Sequence, residues 1–106
     1  DLLQHIFGVI TEADGICANR GGLYLAEDSV SACFRFENGL PGSGSWCFVA
    51  HDSARADRVE VIGDKGQLSF SVFSYAPIEL NTQEGCQRIE VPNTPYGQFP
   101  LIKAAI

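Results

Sequence analysis

Four short stretches of this chain carry residue types whose spacing could do chemistry, and the glycine-bearing run VIGDKGQLSF, Val61 to Phe70, is the first of them. Gly63, Asp64, Lys65 and Gly66 have the composition of a phosphate cradle. A nucleotide P-loop, however, needs four residues between its first glycine and a closing Gly-Lys-Ser/Thr. It also needs a helix directly behind, so that backbone N–H groups converge on phosphate oxygens. Here Gln67 to Phe70 alternates polar and apolar, as Val59 and Val61 do on the near side. The run predicts a β-hairpin with a type I turn, Gly66 supplying the left-handed residue of a G1 bulge, and no nucleotide.

Asp1 and His5 stand at i and i+4, one helical face, the spacing of an acid/base pair or two metal ligands. The plainer reading is a capping Asp and a His covering the helix flank. His51-Asp52-Ser53-Ala54-Arg55-Ala56-Asp57-Arg58 is a polar loop between two strands, a setting in which a scaffold fixes functional side chains. His51, Ser53 and Arg55 could hydrogen-bond a polyhydroxylated or carboxylate ligand, or form a solvated turn with local salt bridges. Arg20, beside Gly21 and Gly22, reads as an anion contact or as a surface arginine. No Ser-His-Asp or Cys-His arrangement has supporting local sequence, and no G-x-G-x-x-G occurs. Cys17, Cys33, Cys47 and Cys86 fall in no metal spacing, and with two His a zinc site is not expected. They read as reduced, strand-borne thiols of a cytoplasmic protein.

The elements that must position these residues follow from periodicity. Leu2, Leu3, Ile6 and Phe7 have helical spacing, with Gly8 as a stop. Val9–Asn19 reads as a strand. Val30, Ala32, Phe34 and Phe36 alternate with Ser29, Ser31, Cys33 and Arg35. After the turn at Glu37-Asn38-Gly39 and Pro41-Gly42, Gly44, Trp46, Phe48 and Ala50 alternate with Ser43, Ser45, Cys47 and Val49. The hairpin at Arg58–Val72 follows, then Ile78–Asn81 and Gln87–Val91 around Gln83-Glu84-Gly85. Leu101 to Ile106 starts another helix. With 106 residues the expectation is one α+β domain, 1–106, with a single large, mostly antiparallel open sheet of six to seven strands and helices on one face. Helices interrupted at both ends suggest an excised piece of a longer chain.

The formal charge of −6 and pI of about 4.6 disfavour phosphate backbones and anionic lipid, so neither nucleic acid nor membrane is an expected partner. The two sheet faces differ. Val30, Phe34, Phe36, Trp46, Phe48, Val59, Val61, Leu68, Phe70, Ile78 and Leu80 form the expected core face. Ser29, Ser31, Cys33, Ser43, Ser45, Cys47, Ser69 and Ser71 form the other, small and uncharged where a wetted sheet more often shows Lys, Glu and Thr. Such a face suits close packing against another sheet or subunit. Ser31, Cys33, Ser43, Ser45 and Cys47 are the candidate interface residues.

Taken in order, Asp1 to Gly8, Ala26-Glu27-Asp28-Ser29-Val30, Arg35-Phe36-Glu37-Asn38-Gly39, Glu60 to Gly66 and Pro100-Leu101-Ile102 resemble the C-terminal domain of Gfo/Idh/MocA-type oxidoreductases. The resemblance implies an N-terminal Rossmann domain holding NAD or NADP, and substrates that are sugars, polyols or their derivatives, transformed by hydride transfer. It also implies homo-oligomerisation through the sheet face. The cofactor domain and its catalytic lysine motif are absent here. In the family pattern D-x-x-x-H-x-x-D, Asp1 aligns with the last Asp, so the catalytic Asp and His fall upstream and no catalytic or cofactor-binding residue is expected within 1–106. The substrate-facing segment maps to His51–Asp57. Such a domain is expected to be inert alone, because hydride transfer needs donor and acceptor held together. Two other classes fit the strand plan: a stand-alone β-sheet dimerisation module, and a pleckstrin-like barrel, whose basic loops this acidic chain lacks.

Overall fold

The computed structural model describes residues 2–92 and 103–105, and the chain divides into two compact units, Asp1–Arg55 and Ala56–Ile106. Asp1, with its expected capping role, and the Pro100-Leu101-Ile102 run lie outside the described residues.

The first unit begins with α1 (Leu2–Phe7). Gly8 ends it as expected. Its φ of 94° is open to glycine without a Cβ penalty, and its N–H donates to the Gln4 carbonyl at 3.0 Å. Three strands follow: β1 (Ile10–Ala18), β2 (Ser29–Phe36) and β3 (Pro41–Cys47), antiparallel in the order β1-β2-β3. The β2–β3 turn ties back to the helix end. The Glu37 N–H donates to the Val9 carbonyl at 2.8 Å, and the Glu37 carboxylate accepts from the Val9 N–H at 3.3 Å. The Arg-Phe-Glu-Asn-Gly run thus locks helix to sheet, with Gly39 at φ 87° making the turn.

Phe36, 2% exposed, is the buried centre of this unit. Phe7 of α1 meets it at 5.5 Å between ring centroids, and Phe34 meets it edge-on at 5.6 Å, a geometry the ring quadrupole favours. Glycines make room for aromatics on the same face. A Cβ on Gly42 would sit 2.3 Å from the Phe34 ring, and one on Gly44 2.6 Å from the Trp46 ring. Phe48, expected in the core, is instead 71% exposed. The third strand stops at Cys47, because the Phe48 N–H makes the last bond, to the Asp28 carbonyl at 2.8 Å, and the chain turns away.

The second unit is a four-stranded antiparallel meander, β4 (Val59–Ile62), β5 (Gly66–Phe70), β6 (Ile78–Thr82) and β7 (Gly85–Ile89), in that order. Val61, Leu68 and Leu80 stand in register on its apolar face, next to the pairs Val59–Phe70 and Ile78–Ile89. Residues 103–105 are helical.

Two further expectations are corrected. The seven strands among the described residues form two hydrogen-bonded sheets of three and four, not one large sheet, and the chain is mostly β with few helices. Each sheet is a simple meander whose ladders link only sequence neighbours, and the polar stretch after Cys47 separates them. Gly66 is the second. Its φ is not positive, and the hairpin turns on Asp64 and Lys65, with the Gly63 N–H donating to the Gly66 carbonyl at 2.9 Å. Glycine is needed there for close approach, since a Cβ would lie 2.2 Å from the Asn81 carbonyl oxygen of the neighbouring strand.

Candidate functional site

The polar turn after β3 is a single 3-10 turn, Asp52–Ala54, capped by His51. The His51 ring Nδ1 accepts from the Ser53 N–H at 3.2 Å and lies 2.9 Å from the Ser53 hydroxyl. An accepting Nδ1 leaves the imidazole proton on Nε2, exposed to solvent. Arg55 pairs with Asp52 three residues back, its Nε 3.1 Å from the carboxylate, both side chains well exposed. His51, Ser53 and Arg55 therefore fall in one turn, His51 bonded to Ser53 and Arg55 to Asp52. Of the three, His51 Nε2 and the outer nitrogens of Arg55 remain as donors for a hydroxyl or carboxylate.

Two aspartates, Asp28 and Asp57, accept backbone N–H groups from neighbouring loops. Asp28 is fully buried, and its carboxylate accepts from the Arg20 N–H at 2.9 Å, the Gly21 N–H at 2.7 Å and the Ser29 hydroxyl at 2.9 Å. The Arg20 N–H foremost, then the Gly21 N–H and the Ser29 hydroxyl, hold its pKa below the ordinary value of 3.8 against the desolvation that pushes it up. Asn19 braces the same loop, donating to the Tyr24 and Ala26 carbonyls while its Oδ1 accepts from the Gly22 N–H at 2.8 Å. Arg20 itself is exposed. Asp57 does for the β5–β6 loop what Asp28 does here. It accepts from the N–H groups of Val72 at 2.9 Å, Phe73 at 2.7 Å and Ser74 at 2.7 Å. Desolvation raises its pKa, but the three backbone donors and the Ser74 hydroxyl outweigh it and leave it lowered. No side-chain pattern in the sequence marks either, because their partners are mainly backbone N–H groups.

The outward face of the first sheet carries the rows Asp14–Cys33–Ser43 and Ile16–Ser31–Ser45 in cross-strand register. Between them, over the backbone of Gly15, Ala32 and Gly44, runs a shallow open trough of about 450 Å³. Ser31 and Ser45 hydroxyls lie 3.2 Å apart, and Ser29 meets Cys47 at 3.9 Å. Ser31, Cys33, Ser43, Ser45 and Cys47 are all exposed, so the five candidate interface residues do form one surface. Ser69 does not share its character. It stands between Glu60 and Glu79 in the second sheet and is 7% exposed. Arg58 lies 2.6 Å from Glu60 and Arg88 3.7 Å from Glu79, so that row is charged.

All four cysteines are free and exposed. Among the described residues, no three His, Cys, Asp or Glu side chains are grouped to hold a metal, and no helix is long and apolar enough to cross a membrane.

With this geometry in view, comparison with known proteins gives the class. Residues 1–69 match the GFO/IDH/MocA C-terminal domain family. The chain belongs to that family of oxidoreductase domains. Its fold is similar to a solved structure from Thermotoga maritima described as a "putative oxidoreductase", with a TM-score of 0.71 and 16% sequence identity, over 97% of this chain. The chain spans about a third (33%) of that protein's length. No curated protein matches it.

Proposed function

We propose that this domain forms the substrate-side wall and the subunit interface of an NAD(P)-dependent oxidoreductase that acts on a sugar, polyol or derivative by hydride transfer. The observation that carries the reading is the family match over residues 1–69, which spans the first sheet and the polar turn together. Family oxidoreductases generally use NAD or NADP, which their own N-terminal Rossmann domain holds. This chain would contribute no cofactor ligand. His51 Nε2–H, the Ser53 hydroxyl and the Arg55 guanidinium would meet the substrate's hydroxyl or carboxylate groups, fixing its orientation rather than moving its hydride. Ser31, Cys33, Ser43, Ser45 and Cys47 would meet a second subunit. Small, neutral side chains let two backbones approach without stranding a charge. The free thiols support a cytoplasmic setting.

The test is a dehydrogenase assay on the parent polypeptide, with NAD or NADP and a panel of sugars and polyols. His51→Ala and Arg55→Ala are expected to raise KM about tenfold with kcat little changed, the signature of lost ground-state binding. KM values unchanged for every turned-over substrate would sink the substrate-wall role. A second reading, a stand-alone sheet-mediated dimerisation module, is favoured by one observation: His51 with Ser53, and Asp52 with Arg55, already satisfy one another. It expects both variants to be silent while self-association persists.

A further inference from the structure

The β5–β6 loop exposes apolar side chains, Phe73 at 88% and Val72 at 44%, on a segment with no regular secondary structure. An exposed apolar loop of this kind ordinarily samples many conformations. Here three successive backbone N–H groups, those of Val72, Phe73 and Ser74, turn inward onto one carboxylate, that of Asp57, at 2.7 to 2.9 Å. Consecutive N–H groups converging in this way form an anion-binding concavity, and in this chain the anion is built in. The Ser71 hydroxyl also donates to the Ser74 carbonyl and closes the same bend.

We infer that Asp57 is a conformational latch, whose carboxylate holds residues 71–75 in the single arrangement that displays the Phe73 side chain. The latch sits on the strand-entry segment two residues after Arg55, so the backbone that carries the polar turn also carries the group that fixes the loop. Charge-assisted bonds to three donors are stronger than neutral ones, and each donor is lost to solvent when the carboxylate is removed. Phe73 makes no contribution to holding the loop, because its side chain is almost wholly in water.

Hydrogen exchange of the whole chain, read amide by amide, tests this. In Asp57→Ala the amides of Val72, Phe73 and Ser74 are expected to exchange at least tenfold faster, while those of Leu68 and Leu80 in the adjoining ladders keep their rates. Asp57→Asn, whose single carbonyl oxygen replaces two carboxylate oxygens, is expected to fall between Asp57→Ala and the parent. Phe73→Ser and Ser71→Ala are expected to leave the three amides protected. Unchanged exchange at residues 72–74 in Asp57→Ala would overturn the latch. So would equal loss in Ser71→Ala, which would assign the bend to its own turn, or uniform acceleration through β5 and β6, which would make Asp57 a general stabiliser.

Discussion

Ser31 and Ser69 each sit at the middle of a cross-strand row, yet one is open to solvent and the other is 7% exposed. Ser31 has Ile16 and Ser45 as partners, whereas Ser69 has Glu60 and Glu79. Arg58 and Arg88 pair with those glutamates, so the second serine stands in a charged row. The first serine stands in an uncharged row. The same residue type on a sheet face is thus open in one sheet and covered in the other. Among the described residues, the Ile16–Ser31–Ser45 row of the first sheet is uncharged and the Glu60–Ser69–Glu79 row of the second is charged.

The comparison can be broken by making the same change in both rows. Ser69→Glu would set a third carboxylate directly between two others in a covered position, and is expected to cost about 2 kcal/mol. Urea denaturation of the variant measures it, and a loss below ~0.5 kcal/mol would show that the glutamates simply swing aside. Gly66→Ala, aimed at the same strand from its other end, is expected to cost about 1–3 kcal/mol because the new Cβ meets the Asn81 carbonyl at 2.2 Å. Gly63→Ala, with its nearest atom at 3.7 Å, should stay within about 0.5 kcal/mol. In the first sheet, Ser31→Glu with Ser45→Lys is expected to change stability by less than about 0.5 kcal/mol, since the two are cross-strand partners and pair with each other. Light scattering across a concentration series should nonetheless show at least tenfold weaker self-association, and an unchanged solution mass would remove the interface proposal. Glu79→Ala, which opens an exposed ion pair at 3.7 Å, should also be small, about 0.2–1 kcal/mol, and should shrink further in high salt.

Acid offers a comparison of the two loop clips. Asp28 and Asp57 both titrate below their ordinary value of 3.8 in the folded chain. Each therefore stabilises the fold at and above that pH, and the contribution is lost as pH falls below it through the lowered folded-state values. Stability measured from pH 5 downward should fall more gently in Asp57→Asn than in the parent chain.

The strand pattern was legible because alternation of apolar residues with Ser, Cys and Arg leaves little freedom of register, as at Ser29–Phe36. Gly8 and the Glu37–Gly39 turn were legible for the same local reason. The division into two sheets was not, because a meander of antiparallel strands has the same sequence pattern whether or not its halves share a ladder. Gly66 was misassigned because one letter serves two needs, a left-handed φ and a close backbone neighbour, and only the position of Asn81 decides between them. Ser69 was misjudged because the alternation of its own strand does not mark it as covered. Asp28 and Asp57 were missed for a related reason: their partners are backbone N–H groups, which no side-chain pattern announces. The candidate turn at His51–Arg55 was found in sequence, but its internal pairings were visible only as one of two open readings.

Trp46 is the chain's one tryptophan, and it lies along Gly44 in the strand whose other side presents Ser43 and Ser45. Its indole emission is therefore a built-in optical probe of the first unit. Circular dichroism reads both. Superimposed melting curves from the two signals would mean that the halves unfold as one cooperative body, while separated midpoints would reveal two independently folding pieces joined by a polar turn.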